Sequence, residues 1–118
     1  LIAIDSCNIN NAADKGISGG EASTLYVNHT VINLANIGVA SKDLSKVYIS
    51  NSTINDCVYG MTVFQKKPEY GGAQIVSENV KQNTVIHPHL VEENSCLILQ
   101  TDTIKGQARN VSAIFYAE

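Results

Sequence analysis

Three glycines, Gly16, Gly38 and Gly60, recur 22 residues apart, and each is followed by an apolar residue, Ile17, Val39 and Met61. Around them three segments superimpose: "LIAIDSCNINNAADKGISGGEAS" from Leu1, "TLYVNHTVINLANIGVASKDLS" from Thr24 and "KVYISNSTINDCVYGMTVFQKK" from Lys46. Their apolar anchors fall into columns: Ile2 with Leu25 and Val47, Ile4 with Val27 and Ile49, Ile9 with Ile32 and Ile54. A fourth, looser copy begins at "AQIVSENV", with Ile75 and Val80 in the anchor positions. A repeat this short cannot bury its apolar face alone, so neighbouring copies must stack.

What stacks is set by the local pattern. Pieces such as Leu25-x-Val27 alternate with period 2, and no copy carries the i, i+3, i+4, i+7 stripe of a helix. If each copy is one turn of a coil, equivalent residues stack at the inter-strand spacing of about 4.8 Å. Ile and Val then fill the interior as ladders. The expected fold is therefore all-β, a right-handed parallel β-helix (a single-stranded β-solenoid) of about four coils over residues 1–90. A non-repeating C-terminal cap is expected over 91–118, where "SCLILQ", "TD" and "TIKG" read as strand, turn and short strand. Leucine-rich repeats have a similar period, but their leucine spacing is not seen.

Composition agrees with a single β-rich domain. The chain has 118 residues, 44% apolar and 16% charged, with no Trp and a net charge of −3. That balance argues against a nucleic-acid partner, which calls for a basic stripe. No run reaches the roughly 18 apolar residues of a membrane-spanning helix. The chain opens at "LIAIDS" without Met, and reads as a segment of a larger protein whose earlier coils cover its N-terminal end.

Asn10, Asn33 and Asn55 follow the third anchor of each copy. An amide at this column can bond the next along the stack, and Asn tolerates the left-handed geometry of a tight turn. "DKG" at 14–16 reads as an exposed turn, with Gly16 supplying a permissive φ. "HPH" at 87–89 reads as a loop, because two histidines around a proline face different ways and no third metal ligand is identifiable. His29 reads as surface. Cys7 and Cys57 fall in different columns two coils apart, too far for a disulfide. Free, mostly buried thiols are expected.

The ladder also places charges. Counting five from each glycine gives Glu21, Asp43 and Gln65, with Lys42 just before Asp43. Two carboxylates about 5 Å apart repel unless a cation or proton intervenes. Three readings fit: a solvated or salt-bridged edge, a Ca²⁺ site drawing on Glu21 and Asp43 with Ser23, Ser45 and Gln65 nearby, or a sugar-binding or catalytic patch. Beside this edge "FQKKPEYGG" (64–72) reads as an insertion of about four residues, counted from the 26-residue step between Ile49 and Ile75. Pro68 suits a protruding loop, and the loop brings Lys66, Lys67, Glu69 and Tyr70 to the edge. Tyr26 and Tyr48 align one coil apart, pointing outward, as a small stacking surface or a cross-strand packing pair.

The motifs "DKGISGGEAS" (14–23), "IGVASKDLS" (37–45) and "YGMTVFQKKPEYGG" (59–72) resemble those of right-handed parallel β-helix repeat proteins of the pectin-lyase-like fold. In particular they resemble a C-terminal β-helix module of large microbial secreted or surface proteins, including spore-coat CotH-like proteins. The resemblance covers about residues 1–80. It implies a secreted or cell-surface setting, and a carbohydrate-active or carbohydrate-binding parent. The lyases of that fold use an arginine, a lysine and calcium ligands that find no residue-by-residue match here.

Two functions follow. One is a non-catalytic module, the capped end of an elongated protein, that contacts polysaccharide or a protein partner. The other is the terminal part of a polysaccharide lyase or hydrolase, in which a lysine such as Lys66 beside carboxylates and a tyrosine serves as base and acid. Aromatics at 6% and a single arginine, Arg109, favour the first. No resident cofactor is expected beyond the candidate calcium.

Overall fold

A computed structural model describes residues 1–65, 71–99, 103–105 and 114. The chain is all-β, with parallel sheets. The larger sheet holds β1 (Ile2–Asp5), β2 (Asn8–Asn10), β4 (Thr24–Asn28), β5 (Val31–Asn33), β7 (Lys46–Asn55), β9 (Gln74–Asn83), β11 (Cys96–Ile98) and β12 (Thr103–Lys105). The smaller holds β3 (Lys15–Gly19), β6 (Ile37–Lys42), β8 (Tyr59–Phe64) and β10 (His87–Val91). The chain alternates between the two sheets, and each return adds a parallel strand beside the previous one.

The register is the one that the repeat demands. Ile2 pairs with Leu25 and Leu25 with Val47, then Ile9 with Ile32 and Ile32 with Ile54. In the smaller sheet Ile17 pairs with Val39 and Val39 with Met61. These columns form one core, in which Val27, Ile32, Val39, Val47, Ile49, Ile54 and Val63 are at most 1% exposed. Burying one such side chain contributes about 1.5–3 kcal/mol, which offsets the ordering of its repeat. A second cluster, Ile37, Ala40, Phe64 and Leu90 with Tyr59, gathers around the smaller sheet.

The bends between strands share one device. Ser6, His29, Asn51 and Asn79 all have φ between 49° and 54°, at the same place in successive repeats. Asn11, Leu34, Asp56 and Thr84 do the same at the next bend, with φ of 55–58°. A single left-handed residue turns the chain without ending the ladder, and the following polar side chain ties the corner. Thr30 Oγ1 donates to Asn28 O (3.1 Å), and Ser52 Oγ to Ser50 O (2.8 Å). Cys7 Sγ approaches Asp5 O in the same way at 3.4 Å.

Several expectations are corrected. Among the described residues no glycine has positive φ, so Gly16 is not a turn residue: it lies within β3, and Lys15, only 11% exposed at its side chain, bonds Asp14 at 2.7 Å. What the glycine column provides is space. A Cβ on Gly16 would lie 2.7 Å from Ile32 Cγ2 and 2.8 Å from Gly38 O. Nor do Asn10, Asn33 and Asn55 take the left-handed conformation, which falls on the residue after each. Their column rests on the amide ladder alone: Asn33 Nδ2 to Asn10 Oδ1 at 2.8 Å, Asn55 to Asn33 at 2.8 Å, and Asn83 to Asn55 at 2.9 Å.

The fourth repeat is offset from the expected alignment. Ile75 pairs with Val47, not with Ile49, so the step is 28 residues and the insertion adds six. Val80 pairs with Ser52, and Gln82 takes the place that Ile54 fills one repeat earlier. "HPH" is not a loop: it forms β10, paired with β8. Because β10 is the terminal strand of its sheet, the missing Pro88 N–H leaves no interior ladder gap. Cys7 is exposed, whereas Cys57 is buried and Cys96 half-buried; all three are free.

At the C-terminal end the register continues past Val91. Leu97 pairs with Ile75 at the 22-residue step. Then β12 runs antiparallel against β11, with Leu97 opposite Ile104. An antiparallel strand cannot be extended by the same repeat, so the larger sheet changes character here. The segment "NVSAIFYAE" lies, apart from Ile114, outside the described residues.

Candidate functional site

Two places were marked by the sequence, and the structure treats them differently. The first is the corner where β3 and β6 lead back to the larger sheet. Glu21 and Ala22 have φ of 48° and 62°, and Asp43 and Leu44 have 55° and 64°. Ala22 N donates to Asp43 O at 2.7 Å, so one turn sits directly on the next. Glu21 and Asp43 thus occupy adjacent repeats at one corner, but not as a matched exposed pair. Asp43 is 1% exposed while Glu21 faces solvent.

The nearby hydroxyls bond within the corner itself. Ser45 Oγ donates to Gly19 O (3.0 Å) and lies 2.7 Å from Ser41 Oγ, which itself reaches Gln74 O at 2.9 Å. Ser23 Oγ bonds Gly20 O. These side chains tie the corner's own carbonyls. Among the described residues no three His, Cys, Asp or Glu side chains converge as a metal site needs. Gln65 follows Phe64, the partner of Lys42, and its N–H donates to Glu92 Oε1 at 3.0 Å. The root of the insertion is therefore held by a carboxylate one repeat on. The residue in the Ser45 column is Ala73. Lys66, Lys67, Glu69 and Tyr70 lie outside the described residues.

The second place is the outer face of the larger sheet. Tyr26 pairs with Tyr48, and their rings stack with centroids 4.9 Å apart and planes 12° from parallel. That separation matches the strand spacing, so the ring normals run from strand to strand. One face of Tyr26 is covered by Tyr48. The other looks toward β1, where its partner is Ala3, whose methyl group is too small to cover a ring. Tyr26 is accordingly 48% exposed.

Beside the rings runs a line of amides. Ser50 Oγ and Asn51 Nδ2 both donate to Asn28 Oδ1, at 3.0 and 3.1 Å, and Asn79 Nδ2 donates to Asn51 Oδ1 at 2.8 Å. The bonds from Asn51 and Asn79 each use one hydrogen of an amide that has two. Around Asn51 and Asn79 the surface dips into a shallow hollow of about 200 Å³ lined also by Ser52, Thr53 and Lys81. Sequence reasoning found the tyrosines and missed this line. Its signal was present in Asn51 and Asn79, which align only under the 28-residue step, whereas Asn28 pairs with Ser50 in the column before.

The fold and this face define an all-β protein of stacked parallel strands with a polar, partly aromatic outer surface. Compared with known proteins, the chain matches no family model, no curated sequence and no solved structure. No helix among the described residues is long and apolar enough to cross a membrane.

Proposed function

We propose that the chain is a non-catalytic module that contacts polysaccharide through the outer face of its larger sheet. In this reading the two sheets are walls of a right-handed parallel β-helix of the pectin-lyase-like kind. The module belongs to a larger microbial secreted or cell-surface protein. The observation that carries the reading is the uncovered face of Tyr26 above Ala3, flanked by the Asn28–Asn51–Asn79 amides. A sugar ring presents an apolar face and a rim of hydroxyls, and needs an aromatic plane with hydrogen-bonding groups beside it. The Tyr26 notch supplies both. Stacking of this kind contributes roughly 0.5–1.5 kcal/mol per ring.

The test is affinity electrophoresis of the chain through gels carrying neutral and acidic polysaccharides. Retardation by at least one polysaccharide is expected. Tyr26→Ala should weaken it by roughly two- to tenfold in Kd, and Tyr26→Phe should retain it. Ala3→Leu, which fills the space over the ring, should weaken it while leaving the Tyr26 ring in place. Unchanged mobility across all polysaccharides would refute the reading. The same samples, incubated with uronate polymers and Ca²⁺ and followed for unsaturated product absorbance, report on a lyase. Product lost in Lys66→Ala would replace the module by an enzyme.

A further inference from the structure

The two sheets differ in how their strands are buried. In the larger sheet burial alternates: Leu25 and Val27 are closed off, while Tyr26 between them is exposed. That is the pattern of a sheet with one covered face. The smaller sheet does not alternate. Every residue of β6 from Ile37 to Ser41 is buried, and so is every residue of β8 from Gly60 to Phe64. Strands buried on both faces need a layer on each side. One layer is the larger sheet, with which Ile17, Val39, Met61, Val63 and Val91 share the main core. Ile37, Ala40, Phe64 and Leu90 form a separate cluster, with Tyr59 beside it. Ala40, Thr62 and Leu90 stand in one row across three strands, at 0%, 0% and 7% exposed. Ser18, at the end of that row on β3, is exposed. A covering layer therefore lies over β6, β8 and β10. The described strands form only the two sheets, so none of them supplies it.

We infer that the outer face of the smaller sheet is a docking surface for the chain's own residues 107–118. Three observations select this occupant. The cover is apolar where it meets Thr62, whose Oγ1 is buried without a hydrogen-bond partner, so neither water nor a polar group reaches it. The segment "QARNVSAIFYAE" (107–118) supplies Val111, Ile114, Phe115 and Tyr116 for such a contact, whereas "KKPEY" (66–70) carries three charges and a proline and suits solvent. Length allows it as well. Such a segment spans up to roughly 40 Å when extended, while a four-stranded sheet is only about 14 Å across. The segment then lies along the side of the stack and not over its end. It leaves the outer face of the larger sheet, with Tyr26 and the amide line, as the face open to a partner.

The experiment places a thiol under the cover. Thr62→Cys puts a small, weakly polar side chain at the site and removes the unpartnered hydroxyl. It is made in the full chain and in a chain ending at Gly106. Labelling of each thiol is followed by peptide mass mapping, with sedimentation of the same samples. Cys57, buried in the main core, reports that each chain is folded. Ser18→Cys, made separately, marks a site beyond the cover. Expected is protection of the Thr62→Cys thiol in the full chain and at least about tenfold faster labelling after truncation. Cys57 should stay protected, and the Ser18→Cys thiol should react equally in both chains. Phe115→Asp with Tyr116→Asp, in the full-length chain, tests the same contact if Cys57 shows that the short chain is unfolded, and should have the same effect. Equal protection of the Thr62→Cys thiol with and without the segment would overturn the inference, and residues 66–70 would then be the cover. So would a full chain that sediments as a dimer and loses the protection on dilution, because a second copy would be the occupant.

Discussion

Ile54 fills the space that Gly38 leaves empty: a Cβ built on the glycine would lie 2.8 Å from Ile54 Cγ2. The carbonyl of Gly60 lies equally close, so an added methyl group meets a backbone group as well as a side chain. The two sheets come together along this column, with Gly16 against Ile32 one repeat earlier.

Gly38→Ala should therefore destabilise the chain by about 1–3 kcal/mol, the usual cost of overpacking. This opposes the ordinary gain from replacing a glycine whose φ is not left-handed. Gly38→Ala with Ile54→Val should recover only part of the loss, because the Gly60 carbonyl remains. Urea unfolding of the three variants checks this, and a stabilised Gly38→Ala would show that the column is not close-packed.

The amide ladder gives a graded expectation. Asn55 donates to Asn33 and accepts from Asn83, whereas Asn10 sits at the end and accepts from Asn33. Net hydrogen-bond contributions are about 0.5–1.5 kcal/mol each. Asn55→Ala should cost about twice as much as Asn10→Ala in urea midpoints. A double-mutant cycle between Asn33 and Asn55 should show coupling of at least about 0.5 kcal/mol. Equal losses at Asn10 and Asn55 would mean that solvent replaces the ladder without cost.

How much of this was legible in the sequence depends on which interaction enforces each position. The columns Leu25–Val47 and Ile32–Ile54 were readable because a buried ladder demands apolar residues at a fixed step. The step failed at the fourth repeat, where Gln82 takes an isoleucine's place and a six-residue insertion precedes it. Ile75 then matched the wrong anchor, and Asn79 dropped out of the amide line. The glycines were visible, but their reason was not, since steric contact with Ile32 or Ile54 lies between segments distant in sequence. At the corner, equal spacing from the glycines predicted similar surroundings for Glu21 and Asp43. Burial separates them, because exposure depends on what covers a turn and not on its register.

Ser45 is the polar tie of that corner. Its hydroxyl donates to Gly19 O and meets Ser41 Oγ, and the two serines are 1% and 0% exposed. Ser45→Ala should cost about 1–3 kcal/mol by leaving a buried carbonyl unpaired. Ser23→Ala, at a half-buried position in the same column, should cost less. The comparison is read from thermal unfolding, and it fails if the two substitutions are equivalent.

The cysteines supply a pH test. Burial pushes the Cys57 thiol above its ordinary pKa, Asp56 adds to the rise, and the hydrogen bond with the Ala35 backbone opposes it. Sγ also donates to Asn55 O at 3.4 Å, a contact that needs the proton. The folded chain thus holds this proton more tightly than the unfolded one. Its contribution is complete below the unfolded thiol's pKa, about 8.5, and is lost as pH rises from there through the higher folded value. Stability of the native chain should fall above about pH 8.5, and Cys57→Ala should flatten that slope while lowering stability overall. In thiol labelling at neutral pH, Cys7 should react at once and Cys57 only as fast as the chain unfolds. Rapid labelling of Cys57 in the folded chain would contradict its burial.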